Sequence, residues 1–165
     1  MDAIVPLEER KGRFNNTDGK RRTREEVAAE SEPLLRTGSC ELNRPDIAEM
    51  VQNSIRYFDK DRYLLHAWCL MGNHVHVVYT ARGESTPKVI HHSWKSFTAH
   101  KANQILGTTG EFWEAESFDH LVRSVEDLEW YMEYTELNPV TAGFCKRREE
   151  WKWSSAYRCD VVSPA

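Results

Sequence analysis

Two apolar runs separated by Gly72 and Asn73 constrain the fold of this chain more than any other feature of its sequence. The first run covers residues 63–71 (YLLHAWCLM), and the second covers residues 74–80 (HVHVVYT). Short runs rich in aromatic and β-branched residues are typical of buried strands. Glycine and asparagine both tolerate the positive φ angles of a tight hairpin turn. The sequence therefore predicts an antiparallel hairpin with a two-residue turn.

Two histidines, His74 and His76, stand two residues apart at the start of the second strand. Strand side chains alternate between the two faces of a sheet, so both imidazoles are predicted to leave the same face. In the predicted register Met71 faces His74, Cys69 faces His76, and His66 falls on the opposite face. Two imidazoles on a rigid strand can supply two ligands to one divalent metal. Such a pair also occurs on half-exposed strands without any function, so the pair alone leaves both interpretations open.

The run at residues 129–138 (EWYMEYTELN) carries side chains that complete such a site. Tyr134 and Asn138 are four residues apart and share one face of a predicted helix. A tyrosine hydroxyl can attack a phosphodiester when a metal orients the phosphate and makes the phosphorus more electrophilic. An amide oxygen from Asn138 would add to the imidazoles a mixed ligand set that suits Mg²⁺ or Mn²⁺. The alternative is a packed aromatic residue followed by a helix cap before Pro139.

The composition limits the classes of protein to which the chain can belong. Its 165 residues, 40% of them hydrophobic, suffice for one globular domain. No apolar run approaches the roughly 20 residues that cross a bilayer, and the first residues lack a secretory signal, so we expect a cytoplasmic protein without a membrane partner. The net charge of −4 argues against tight binding of duplex DNA without excluding a local basic face. The four cysteines form no C-x-x-C pair and indicate neither a structural zinc site nor a disulfide framework.

Charge and periodicity divide the chain into a tail and a domain. Residues 1–36 are polar, show no clear strand and include a basic cluster at residues 20–24. We predict a poorly ordered tail over residues 1–36, with a basic arm that contacts DNA as the alternative. Residues 37–165 are predicted to form the domain. Its apolar spacing predicts three helices. The first begins near Pro45 with Asn43 as the cap, and the second covers residues 88–106. The third begins after Ser124 and is stopped by Asn138 and Pro139.

Five blocks of the sequence resemble the REP-associated tyrosine transposases, relatives of the single-tyrosine insertion-sequence transposases in the HUH superfamily. The blocks follow the family order between residues 38 and 157 and read MGNHVHVVY, IHHSWKSFTAHKANQIL, FWEAESFDHLVR, YTELNPVTAG and WKWSSAY. The first block is similar to the MPNHVH block of the family, with Gly72 in place of the usual proline. Five blocks in register make this resemblance far more specific than any one of them.

The resemblance implies an α+β, ferredoxin-like HUH fold, in which a central antiparallel sheet carries the histidine pair and helices pack on the sheet. It also implies that His74 and His76 are metal ligands, that Asn138 takes the position of the third ligand and that Tyr134 is the nucleophile. Some relatives use two tyrosines, but Tyr134 matches the family block better than Tyr131 does. The cofactor implied is Mg²⁺ or Mn²⁺.

The reaction implied by the resemblance is the cleavage and rejoining of single-stranded DNA, often next to an imperfect hairpin. The tyrosine would form a 5′-phosphotyrosine link and release a 3′-hydroxyl. Lys95 and Lys101 are candidate contacts for the DNA backbone, although solvated helix lysines explain them equally well. Relatives act as monomers or as homodimers, and both states stay open for this chain.

One part of the family pattern is missing. Family members begin with a long apolar strand, and nothing in residues 1–36 matches it, so the first strand is expected to be absent or replaced by another segment.

Two alternative functions accompany the transposase hypothesis. One is a catalytically inactive descendant that binds hairpin DNA, and the other is a metal-dependent phosphodiesterase that uses water as the nucleophile.

Overall fold

A four-stranded sheet organises the part of the chain that the computed structural model describes, which is residues 2–6, 39–114, 117 and 119–159. The strands lie in the order β2-β3-β1-β4. The elements in chain order are β1 (Asp2–Pro6), α1 (Pro45–Tyr57), β2 (Tyr63–Leu70), β3 (Val75–Ala81), α2 (Pro87–Leu106), β4 (Asp119–Val122) and α3 (Val125–Thr141). The α+β class predicted from the sequence is confirmed.

The hairpin of β2 and β3 forms in the predicted register from the turn as far as Ala67, and a bulge shifts the pairing by one residue beyond it. The two strands are antiparallel, and Cys69 lies opposite His76. Next to the turn, the Met71 amide donates a hydrogen bond of 2.9 Å to the His74 carbonyl. The hydrophobic pattern of the two runs sets this register, because a slip of one residue would move every core side chain to the wrong face.

The turn itself differs from the prediction. Neither Gly72 nor Asn73 is among the described residues with a positive φ angle. Glycine is suited to this position for a different reason, since a Cβ at Gly72 would lie 2.9 Å from the Asn43 side-chain oxygen. Asn43 is exposed and its side chain can turn away, so this contact disfavours a larger residue at position 72 only weakly.

Strand β1 corrects two expectations. Residues 1–36 were predicted to contain no strand, yet Asp2–Pro6 pairs with both β3 and β4 and occupies the interior of the sheet. The sheet was predicted to be antiparallel throughout, yet β1 runs parallel to both neighbours. A five-residue strand bounded by aspartate and proline gives almost no sequence signal, because its stability comes from the ladders on both sides and not from its own propensity. The rest of the predicted tail, with its basic cluster, lies outside the described residues.

The helices cover the sheet in two layers. Helices α1 and α2 pack on the face of the sheet that presents Val75, Val77 and Tyr79. Helix α3 packs on the opposite face, where Val78 lies against residues of that helix. Because strand residues alternate, His76 lies on the same face as Val78 and so belongs to the α3 layer.

The predicted caps and ends of the helices are correct in part. Helix α3 begins after Ser124, whose hydroxyl accepts a 3.0 Å hydrogen bond from the Asp127 amide as expected. The cap of α1 is Arg44 and not Asn43, which lies in a preceding 3₁₀ turn. Helix α3 continues through Pro139 instead of stopping there. Proline removes only one backbone hydrogen bond, and here it lies two residues before the end of the helix, where the interruption costs little.

None of the helices in these described ranges combines the length and the apolar character needed to cross a lipid bilayer.

A buried aromatic cluster packs α2 against β3. The Tyr79 hydroxyl lies 2.8 Å from His91 Nε2, and the His91 ring stacks on Trp94 with ring centroids 5.9 Å apart. Burial, with a smaller contribution from repulsion by Lys95, lowers the pKa of His91 from 6.5 to about 4. The carboxylate of Asp119, 3.8 Å from the other ring nitrogen, is half exposed and does not reverse this effect. His91 is therefore folded into the core as a neutral ring.

We expect the stability of the protein to fall as the pH drops from about 6.5 to 4. The unfolded chain binds a proton at this histidine over that range while the folded chain does not, so the loss reaches about 3 kcal/mol at pH 4. Urea denaturation at several pH values measures this loss in the free energy of unfolding. A His91→Gln variant, which keeps a polar partner for Tyr79, should show a flatter dependence, and an unchanged slope in this variant would contradict the assignment.

Candidate functional site

The two histidines of the hairpin meet at their ring nitrogens. His74 Nε2 lies 3.0 Å from His76 Nε2, and the two side chains are buried, with residue exposures of 5% and 1%. The prediction that both rings leave one face of the sheet is confirmed. His76 lies in β3 and His74 lies one residue before that strand, so the end of the hairpin presents two nitrogen atoms close together.

Asn73 determines which nitrogen of His74 faces its partner. The Asn73 side-chain oxygen lies 2.7 Å from His74 Nδ1. An amide oxygen only accepts hydrogen bonds, so His74 Nδ1 is the donor and the Nε2 of the neutral ring carries a lone pair. An oxygen that accepts from one ring nitrogen in this way orients the imidazole and leaves its other nitrogen able to bind a metal. The sequence analysis gave Asn73 only a role in the turn, although its position next to His74 was a usable signal.

The 3.0 Å contact between the two ring nitrogens is a hydrogen bond, in which His76 Nε2 donates to His74 Nε2 because His74 Nδ1 carries the proton of its own ring. The same separation is compatible with a shared divalent metal, which would have to displace the proton on His76 Nε2. Two ligands at right angles on an ion with metal–nitrogen bonds of about 2.1 Å lie roughly 3.0 Å apart, which is the separation found here. The described residues contain no group of three or more His, Cys, Asp or Glu side chains that could hold a metal. A third protein ligand from this part of the chain would therefore be an amide, a hydroxyl or a backbone oxygen.

Helix α3 brings Tyr134 to the histidine pair. The rings of Tyr134 and His76 are 6.1 Å apart between centroids and meet edge to face. On its other side the Tyr134 ring stacks on Trp130, one helical turn earlier, at 5.2 Å between centroids. The Tyr131 ring instead stacks on His120 of β4. The structure thus directs Tyr134, and not Tyr131, towards the histidines.

Asn138 follows Tyr134 by one turn of α3. Its side-chain nitrogen donates a 2.8 Å hydrogen bond to the Tyr134 carbonyl. This contact fixes the amide against the helix and leaves the side-chain oxygen as the group able to act as a metal ligand. The role of Asn138 as the third ligand remains a prediction.

Trp130 is a residue of this region that the sequence analysis missed. It precedes Tyr134 by four residues, which is the spacing at which helix side chains contact each other. That spacing is a readable signal in the sequence.

The two lysines proposed as DNA contacts lie on α2, in the layer behind the sheet. Lys95 is half buried and donates a 2.9 Å hydrogen bond to the Glu114 carbonyl. Burial lowers the pKa of Lys95, against the opposing effects of Asp119 and Glu114. Lys101 is exposed. The structure brings neither lysine together with the histidine pair, and their contact with DNA remains a prediction.

His66 departs from the predicted face. A bulge interrupts the pairing of β2 between Leu65 and Ala67, and His66 Nε2 lies 2.7 Å from the Thr80 hydroxyl. Thr80 shares the face of His76 by alternation, so the bulge turns His66 to the side opposite to the prediction. Thr80 is four residues from His76, or about 13 Å along the strand. His66 is therefore outside the histidine pair because of distance and not because of its face.

The surface of α3 around Tyr134 is acidic. The helix contains five acidic residues and no lysine or arginine (VEDLEWYMEYTELNPVT). A surface of this sign attracts divalent cations and repels phosphate groups. Arg148 lies 3.3 Å from Glu136 and balances its charge, and the other acidic residues of the helix favour a cation over a phosphate group.

Comparisons with known proteins give one distant relative. The chain is similar to the REP-associated tyrosine transposase of Escherichia coli (strain K12), with 23% identity over 114 residues. The matched region covers 67% of this chain and 65% of that protein, so it spans slightly less than two thirds of the relative. No protein-family model matches the chain. No solved structure matches it either.

Replacement of Asn73 by alanine should weaken metal binding about 10-fold, because outer-shell partners of metal-binding histidines contribute 10–100-fold to affinity. Titration with Mn²⁺, followed by the loss of the free-ion electron paramagnetic resonance signal, measures the affinity. Asn53→Ala, an exposed asparagine on α1, is the matched control and should leave the affinity unchanged. Equal affinities for the two variants would show that Asn73 does not orient His74.

Proposed function

We propose that this protein is a divalent-metal-dependent transposase or nicking-joining enzyme that cleaves and rejoins single-stranded DNA through Tyr134. The observation that carries the proposal is the meeting of two ring nitrogens 3.0 Å apart beside a tyrosine whose ring lies 6.1 Å from His76. A pair of imidazoles suits a metal, and a tyrosine beside the metal suits nucleophilic attack on phosphorus.

The distant relative supports the same class of function. Its name describes a tyrosine transposase, and the similarity suggests a transposase-like function and DNA as the partner. The HUH fold, the covalent mechanism and the preference for hairpins come from the resemblance of the sequence blocks and are part of the proposal. The placement of the histidines and Tyr134 on one face of the sheet supports this proposal. The parallel pairing of β1 departs from the antiparallel sheet that the resemblance implies.

In the proposed reaction the Tyr134 oxygen attacks the scissile phosphorus. The bond from phosphorus to the 3′-side oxygen breaks, Tyr134 loses its proton, and the departing 3′ oxygen gains one. A 5′-phosphotyrosine link and a free 3′-hydroxyl result, so the number of phosphodiester bonds is conserved and strand joining needs no nucleotide cofactor. Mg²⁺ or Mn²⁺ bound by His74, His76 and Asn138 would orient the phosphate and make the phosphorus more electrophilic.

The residues of this chain supply positioning to that reaction. Strand β3 holds His76, and Asn73 orients His74, which lies one residue before the strand. The stack with Trp130 restricts the rotation of the Tyr134 ring. Restricting the nucleophile in this way lowers the entropy that the reaction must lose.

A second candidate is a catalytically inactive descendant that binds hairpin DNA. The acidic residues of α3 oppose the approach of a phosphate to Tyr134, which favours a protein that has lost the cleavage step, and its DNA would then contact a different surface. This candidate needs neither the tyrosine hydroxyl nor a metal.

We expect purified protein with Mn²⁺ and labelled single-stranded oligonucleotides to form a covalent adduct that survives a denaturing gel. The oligonucleotides should contain hairpins from the flanking genomic DNA. Tyr134→Phe should lower adduct formation by at least about 10³-fold because it removes the nucleophile, and His76→Ala should lower it because it removes one metal ligand. Tyr57→Phe, on the exposed surface of α1, is the matched control.

The other outcomes separate the alternatives. Mass spectrometry should locate the nucleotide on Tyr134, and a nucleotide on Tyr131 would refute the assignment of the nucleophile. Cleavage that persists in Tyr134→Phe would indicate a phosphodiesterase with water as the nucleophile. Hairpin binding without cleavage by the wild type would indicate the inactive descendant.

A further inference from the structure

Glu136 connects α3 to the C-terminal part of the chain. Its two carboxylate oxygens have different partners, since Ser155 Oγ lies 2.9 Å from one and an Arg148 guanidinium nitrogen lies 3.3 Å from the other. The Glu136 side chain is 18% exposed, so water screens these contacts only in part. Charge-assisted hydrogen bonds in such a setting are stronger than those between exposed groups.

Ser155, which contacts Glu136, belongs to a segment that pairs with the edge strand β2. The Ser155 amide donates to the Trp68 carbonyl at 2.9 Å, and the Leu70 amide donates to the Trp153 carbonyl at 2.8 Å. Residues 153–155 therefore cover the outer edge of β2. Because Cys69 of β2 lies opposite His76, Glu136 ties α3 to the strand directly beside the histidine strand.

Glu136 holds the flank of α3 that lies towards β2, and a second contact holds the flank that lies towards β4. Tyr131 stacks on His120 of β4, on the far side of the sheet from β2. Tyr131 and Glu136 are five residues apart, so they project about 140° apart around the helix axis. Between the two flanks the helix contacts the sheet mainly through apolar side chains, which are non-directional and resist rotation weakly.

The position of Tyr134 is sensitive to the rotation of α3. A tyrosine hydroxyl lies roughly 8 Å from the axis of its helix, so a rotation of 10° moves it by about 1.4 Å. A displacement of about 1 Å can cost 10²-fold in rate when a reaction depends on alignment. The contacts on the two flanks of α3 therefore bear directly on the approach of Tyr134 to the histidines.

We propose that Glu136, held by Arg148 and Ser155, is a positioning residue that fixes the rotation of α3 and thereby aligns Tyr134 with the histidine pair. The proposal rests on the proposed function, because it assigns Glu136 a role in the reaction of the same site. Glu136 does not contact the reacting atoms and acts only through the helix.

The test compares Glu136→Ala with Glu133→Ala, a matched control because Glu133 is an exposed carboxylate on the same helix. We expect Glu136→Ala to slow adduct formation about 10²-fold while the dissociation constants for Mn²⁺ and for the hairpin oligonucleotide change less than twofold. Glu136→Gln, which keeps an acceptor for Ser155, should recover part of the rate. Arg148→Met removes the ion pair with Glu136, together with the contact between Arg148 and Glu149, and should slow the reaction 5- to 10-fold.

Hydrogen exchange gives a readout that does not depend on activity. Backbone amides of residues 134–141 should exchange at least 10-fold faster in Glu136→Ala than in Glu133→Ala, with β3 unaffected. Equal exchange in the two variants would overturn the inference whether or not the protein cleaves DNA. Adduct formation at the wild-type rate, or a loss of rate that is accompanied by loss of metal and DNA binding, would also overturn it. A wild type that forms no adduct would refute the proposed function, and the exchange data would then decide the role of Glu136 alone.

Discussion

The packing of α3 on one face of the sheet is the interaction on which the candidate site depends. The histidine pair belongs to a hairpin and Tyr134 belongs to a helix some sixty residues later in the sequence, so neither local structure creates the site. Apolar contacts between α3 and the strands, among them the burial of Val78 and Val122, bring the two together. Directional contacts at the flanks of α3 then determine which side chain meets the histidines. Burial supplies the energy of this arrangement, and the polar contacts supply its alignment.

The parts of the site that the sequence predicted are those governed by local periodicity. A period of two placed both histidines on one face, and a spacing of four placed Tyr134 and Asn138 on one turn of a helix. The hairpin register followed from the two apolar runs and the short turn. The resemblance of the sequence blocks, and not the periodicity, connected the helix to the hairpin.

The features that the sequence did not predict depend on contacts between distant segments. Strand β1 is stable because it has neighbours on both sides, which five residues at the start of the chain cannot reveal. The bulge that turns His66 to the other face has no signature in the alternating pattern. Glu136 reads as one more acidic residue of a helix until the fold places Arg148 and Ser155 beside it. Sequence patterns record the faces of elements but not the partners those faces meet.

The central claim is that the two ring nitrogens hold a divalent metal next to the Tyr134 hydroxyl. A crystal structure of the protein grown with Mn²⁺, with anomalous data collected to locate the metal, tests this claim most directly. The account predicts one anomalous peak within about 2.3 Å of both His74 Nε2 and His76 Nε2, with the Tyr134 hydroxyl facing it. Absence of the peak at saturating Mn²⁺, or a peak bound to other residues, would contradict the account.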